Sequence, residues 1–124
     1  MNARRKQPLL SVIAAIAVSI APVVASAHGK LEGAEPAAGS TVSTVASPLR
    51  LTFNEALEPA FSTAHVTDAT GHAVSTEKAK VESGNPRALT IPVSKLAAGT
   101  YSVDWSVMTH DGHKTKGQYR FTVK

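Results

Sequence analysis

The run VVASAHGKL, Val23 to Leu31, places His28 directly behind Ala25-Ser26-Ala27. Cleavage after Ala27 would make His28 a first residue, with a free α-amino group beside its imidazole. Together the two nitrogens close a chelate ring on a metal, which an internal histidine achieves only by ionising a backbone amide. The amine must lose its proton to bind, and its reference pKa of ~8 puts that within reach of a strong Lewis acid at neutral pH. Nitrogen ligands in a near-planar arrangement suit Cu(II), which also heads the divalent affinity series. The second group is Thr109-His110-Asp111-Gly112-His113. On an extended segment Asp111 and His113, two apart, would point to one side as carboxylate and imidazole, with His110 turned away. The same residues also read as a solvated Asp-Gly turn, and two ligands alone do not make a metal site.

Whether His28 becomes a terminus depends on the segment before it. Arg4, Arg5 and Lys6 are followed by an uncharged, Ala-, Val-, Ile- and Leu-rich stretch from Pro8 to Val24, then Ala25-Ser26-Ala27. A basic head, an apolar middle and an A-x-A exit form the pattern of a secretory signal peptide. A retained membrane anchor fits less well: the apolar stretch falls short of the ~20 residues that span a bilayer, and Pro22 interrupts it. Residues 1–27 are therefore expected to be cleaved in export to the periplasm, leaving residues 28–124 as one small domain. The whole chain carries +4, but ten basic and nine acidic residues follow residue 27, so the mature domain is +1. That balance gives no support to a nucleic-acid partner. There is no cysteine, so the domain relies on its core instead of disulfides and offers no thiolate to zinc or cuprous copper.

The elements that must carry these groups are short strands. Leu49-Arg50-Leu51-Thr52-Phe53 alternates apolar and polar residues, as a half-buried strand does. Similar runs cover 64–67, 88–91, 101–107 and 119–123, separated by turn chemistry at Pro36/Gly39, Thr70-Gly71, Ser83-Gly84-Asn85-Pro86, Ala98-Gly99 and Asp111-Gly112. No sustained helical period follows residue 27; Ser94–Ala97 is expected to form one helical turn at most. This pattern predicts an all-β antiparallel sandwich or Greek-key barrel. Its expected core is Phe53, Val66, Leu89, Ile91, Tyr101, Val103, Trp105, Phe121 and Val123.

The chain resembles the CopC-type periplasmic copper-binding proteins over essentially all of residues 28–124. The resemblance rests on His28-Gly29-Lys30-Leu31 with Glu35-Pro36-Ala37-Ala38-Gly39-Ser40, and on Leu51-Thr52-Phe53-Asn54-Glu55. Its most specific block runs from Leu96-Ala97-Ala98-Gly99-Thr100-Tyr101 through Trp105 to Asp111-Gly112-His113 and Gly117. It implies a small Greek-key β-barrel, immunoglobulin-like or cupredoxin-like in topology, that acts as a monomeric copper carrier or buffer in copper resistance or import. It implies one Cu(II) per chain, with His28 giving amine and imidazole and His113 the second imidazole. Asp111 would be an oxygen ligand or hydrogen-bonding neighbour, and Glu55 a more distant group, beyond the ligands or weakly axial. A CopD-like inner-membrane transporter is the implied partner. Some members carry a Met-rich loop for Cu(I); here Phe61 to Ser83 has no methionine, so no dedicated Cu(I) site is expected. His65 and His72 are expected to be ordinary surface or half-buried residues, and His110 to lie outside the metal's immediate ligands.

Two other classes fit parts of the sequence. A copper monooxygenase also uses an N-terminal histidine brace, but it needs an open position for oxygen and a flat substrate surface. This chain is short and aromatic-poor, and it places an acid beside the ligand histidine. A metal-free immunoglobulin-like interaction module accounts for the strands and leaves His28, Asp111 and His113 unexplained. The reading that absorbs all of them is a binding protein, not an enzyme.

Overall fold

The computed structural model describes residues 29–124, which form eight strands and one short 3-10 turn. The strands are β1 (Leu31–Glu35), β2 (Thr41–Val42), β3 (Leu49–Phe53), β4 (Thr63–Thr67), β5 (Lys80–Glu82), β6 (Asn85–Ile91), β7 (Gly99–Met108) and β8 (Lys114–Val123). They make two four-stranded sheets, ordered β1-β3-β6-β5 and β2-β8-β7-β4. All pairings are antiparallel except β2 on β8. The expected β-sandwich is the fold.

Alternation builds the core. Leu49, Leu51 and Phe53 of β3 are buried while Arg50 and Thr52 between them face outward. The outward Arg50 meets Glu82 of β5 through Nε and one terminal nitrogen, at 3.0 and 2.8 Å, across the sheet surface. From the facing sheet come Ala64 and Val66 of β4, Tyr101, Val103 and Val107 of β7, and Tyr119, Phe121 and Val123 of β8. Tyr101 and Phe121 are cross-strand partners whose rings stack at 5.5 Å.

Eight of the nine expected core residues are buried; Trp105 is the exception, and is half-buried. Its cross-strand partner is Gly117, which has no side chain to cover it, so the indole lies over the glycine and meets Phe53 edge-on at 5.1 Å. Leu49, Leu51, Leu57, Val93, Val107 and Tyr119 join the core beyond the expected set. The helical turn expected at Ser94–Ala97 does not form: this stretch is held open by Ser94 N–H to the Val74 carbonyl and by the Tyr101 hydroxyl to the Ala97 carbonyl. The 3-10 turn falls instead at Pro59–Phe61, where Pro59 supplies a fixed φ at the first position. β8 starts five residues earlier than its apolar alternation suggests. It pairs in unbroken register with ten-residue β7, from Gly99 opposite Val123 to Met108 opposite Lys114.

A methyl group at Gly117 would overlap the Trp105 indole and lie 2.7 Å from Cε2. Gly117→Ala is therefore expected to cost about 1–3 kcal/mol, the usual range for overpacking. Denaturation followed by the fluorescence of Trp105, the chain's one tryptophan, should show a lower midpoint and a shifted native emission. An unchanged midpoint and spectrum would contradict this packing.

Candidate metal centre

The β7–β8 ribbon closes through Thr109–His113. Thr109 N–H donates to the His113 carbonyl at 2.8 Å, and Gly112 N–H to the Thr109 carbonyl at 2.9 Å. Gly112 has φ 89°, a left-handed conformation that glycine adopts without steric cost and that lets the chain rejoin β8. Asp111 and His113 are thus not neighbours on an extended strand, as their spacing suggests. A tight turn brings them together.

Within the turn the polar groups converge on one carboxylate. The Thr109 hydroxyl donates to Asp111 Oδ1, the His113 ring Nδ1 lies 2.9 Å from the same oxygen, and His113 N–H approaches it at 3.4 Å. Thr109 is fully buried, so its hydroxyl is fixed while Asp111 and His113 remain half-exposed at the surface. The Thr109 hydroxyl bond, followed by the His113 imidazole bond, lowers the Asp111 pKa from 3.8 to about 2. An ionised carboxylate only accepts hydrogen bonds, so the neutral His113 ring carries its proton on Nδ1 and keeps its lone pair on Nε2. That is the form in which a carboxylate-oriented histidine ligates a metal.

Two other segments are tied to the turn. Gly29 is buried with φ 67°, and its carbonyl accepts from the Thr115 hydroxyl at 2.9 Å. A Cβ at position 29 would sit 2.7 Å from Thr115 Oγ1 and 3.2 Å from Thr109 Cγ2, so the backbone passes directly against both threonines. Lys30 and Asn54 exchange two bonds, Lys30 N–H to Asn54 Oδ1 at 2.9 Å and Asn54 N–H to the Lys30 carbonyl at 3.0 Å. His28, the expected chelating residue, lies outside the described residues. The second segment follows β3: His110 N–H donates to the Ala56 carbonyl, Leu57 bridges to Thr109, and Glu58 N–H donates to the Met108 carbonyl. Half-buried Glu55 stands at the head of this segment, between Asn54 and Ala56.

The remaining histidines lie elsewhere. His65 faces outward from β4 opposite Asp104, and His72 closes an exposed turn with Asp68 and Thr70. The ring of His110 turns to Glu58, 2.7 Å away, rather than to Asp111. Among the described residues no three of His, Asp and Glu converge as a ready ligand set. A concavity of about 450 Å³ lies on the outer face of the second sheet, lined by Thr63, His65, Asp104 and Lys116 among others, and includes no residue of the turn. Sequence reasoning missed Thr109, although a threonine two residues before an aspartate in a turn is a recognisable hydrogen-bonding signal.

The CopC domain family matches residues 31–124. The chain belongs to the CopC family. Copper resistance protein C of Pseudomonas syringae pv. tomato is 39% identical over 107 residues, covering 82% of this chain and 84% of that protein. The crystal structure of CopC from Methylosinus trichosporium OB3b superposes with a TM-score of 0.72 at 38% identity, over 78% of this chain and 94% of that one. PcoC of Escherichia coli, described as a methionine-rich copper resistance protein, gives a TM-score of 0.67 at 34% identity, over 78% of this chain and 99% of that one. This CopC chain differs from a methionine-rich relative in composition: its two methionines are Met1 and Met108.

Removing the Thr109 hydroxyl tests the electrostatics of the turn. The native Asp111 carboxyl has a depressed pKa, so its contribution to stability is present above 3.8 and is lost as the pH falls through about 2. In Thr109→Val the Asp111 pKa should rise from about 2 toward 3.8, read by NMR titration of the carboxyl carbon. A titration unmoved by the substitution would remove Thr109 from this role.

Proposed function

We propose that this protein is a periplasmic copper carrier or buffer that binds one Cu(II) per chain and performs no turnover. Its mature form is taken to be residues 28–124, released by cleavage after Ala27. The observation that carries this reading is the Asp111–His113 pair, held in a turn whose Thr109, together with Thr115 of β8, packs against the backbone at Gly29. Membership of a family whose relatives are named copper resistance proteins supports copper as the ion.

In this reading His28 supplies its amine and imidazole, and His113 Nε2 supplies the second imidazole. Asp111 holds the His113 ring by its Nδ1 proton and lends negative charge to the site. Glu55 is a more distant carboxylate, beyond the ligands or weakly axial. Nitrogen donors favour Cu(II), and soft thioethers favour Cu(I). The lack of methionine from Phe61 to Ser83 and the placement of Met108 in a strand support the oxidised ion. The carrier would act as a monomer and pass copper to a CopD-like membrane protein.

The experiment is a competition titration of Cu(II) against protein beginning at His28, beside protein carrying one extra alanine in front. The extra residue moves the amine and is expected to weaken binding by orders of magnitude; His113→Ala should weaken it as well. Equal affinities for the first two proteins would place the site elsewhere on the turn. Gly29→Ala, which puts a methyl against Thr115 and a side chain at positive φ, should also lower Cu(II) affinity. It should leave circular dichroism of the sandwich nearly unchanged.

A further inference from the structure

The turn holds a second carboxylate–imidazole pair that the proposed site does not use. His110 Nδ1 lies 2.7 Å from Glu58 Oε1, with the His110 side chain 83% exposed and the Glu58 side chain 34% exposed. Both residues are fixed by backbone bonds across the same seam: His110 N–H to the Ala56 carbonyl at 2.9 Å and Glu58 N–H to the Met108 carbonyl at 2.8 Å. Glu58 also caps the 3-10 turn, its carbonyl accepting from Phe61 N–H at 3.2 Å. The carboxylate accepts the Nδ1 proton, so the neutral ring presents the lone pair of Nε2 to solvent. The same logic orients His113 through Asp111, one residue further along the turn.

His110 differs from the other exposed histidines. The His72 ring accompanies an Asp68–Thr70 turn at the end of β4, its Nδ1 held 2.7 Å from the Thr70 hydroxyl. His65 stands in the middle of a strand. Only His110, among these, combines a bonded carboxylate with a chain position directly beside Asp111. It does not join Asp111 and His113 as one three-ligand set, so a metal on it would hold a single protein nitrogen and fill its other positions with water. Such a site is weak and exchanges quickly.

We propose that His110, oriented by Glu58, is a second, labile Cu(II) ligand through which the ion is loaded onto and released from the neighbouring tight site. This inference rests on the copper-carrier reading above. A chelated ion leaves slowly because its ligands must let go together. An adjacent imidazole that takes up one coordination position lets the ligands be exchanged stepwise.

The test uses tag-free protein beginning at His28. One equivalent of Cu(II) is bound and then removed by excess EDTA in a stopped-flow mixer, and the equilibrium affinity is measured separately. His110→Ala is expected to slow removal several-fold with the affinity of the first equivalent unchanged. A second equivalent of Cu(II) should broaden the His110 ring protons in the NMR spectrum of the wild type. Glu58→Ala should weaken that second equivalent about tenfold, as loss of a histidine-orienting carboxylate does, and Glu58→Gln, which keeps an acceptor oxygen, should restore part of it. Removal as fast in His110→Ala as in the wild type overturns the exchange role. If the wild type holds no tight first equivalent, the carrier reading itself falls, and the exchange role falls with it even where the His110 ring still broadens.

Discussion

The buried hydroxyl of Thr109 organises the candidate site. Its side chain is fully enclosed at the end of β7, yet its oxygen reaches the Asp111 carboxylate and the backbone of His113. A buried hydroxyl must be hydrogen-bonded to be tolerated, and here the partner that satisfies it is a surface carboxylate. One interaction therefore does three things: it ties Asp111 into the turn, contributes most, ahead of His113, to lowering the Asp111 pKa, and fixes the acceptor that faces the His113 ring. Without it Asp111 and His113 would be two side chains on a solvated loop, free to adopt many rotamers.

Around that turn the fold assembles three stretches far apart in sequence. The turn links two ten-residue strands, whose long unbroken register makes a stiff ribbon. The segment from Asn54 to Glu58 is sewn to the ribbon's end by backbone bonds to Met108 and His110. The start of β1 is sewn to Asn54 on one side and to Thr115 on the other. The apolar alternation of β3, which buries Leu49, Leu51 and Phe53, holds the sheet carrying β1 against the sheet carrying the ribbon. Packing energy is thus concentrated away from the candidate site, and Asp111 and His113 stay half-exposed at the surface.

The fold class was legible because period-two alternation and turn residues are local signals. Phe53, Val66, Ile91 and Phe121 report burial through their own neighbours in sequence. Trp105 does not, because its half-exposed position is set by the absent side chain of Gly117 on the facing strand. The weak helical propensity of Ser94–Ala97 lost to tertiary bonds with Val74 and Tyr101, and the polar start of β8 is recruited by pairing with β7 rather than by its own composition. The Asp111–His113 pair was legible as a pair of ligating types, but the reason for their meeting was not. The spacing suggests a strand, and a glycine at positive φ makes a turn.

The sequence by itself determined the chemical inventory. It contains no thiol, no methionine-rich loop, a histidine directly behind Ala25-Ser26-Ala27, and a carboxylate–imidazole doublet flanking a glycine. It also determined the membership of the CopC family, since the blocks that carry the resemblance are contiguous runs. Only the tertiary structure decided which polar groups work together: that Thr109 is buried and serves Asp111, that Asp111 rather than solvent holds His113, that His110 belongs to Glu58, and that Gly29 is pinned beside the turn. These are contacts between residues up to 86 positions apart, and their geometry is set by strand register and sheet packing, which no local pattern encodes.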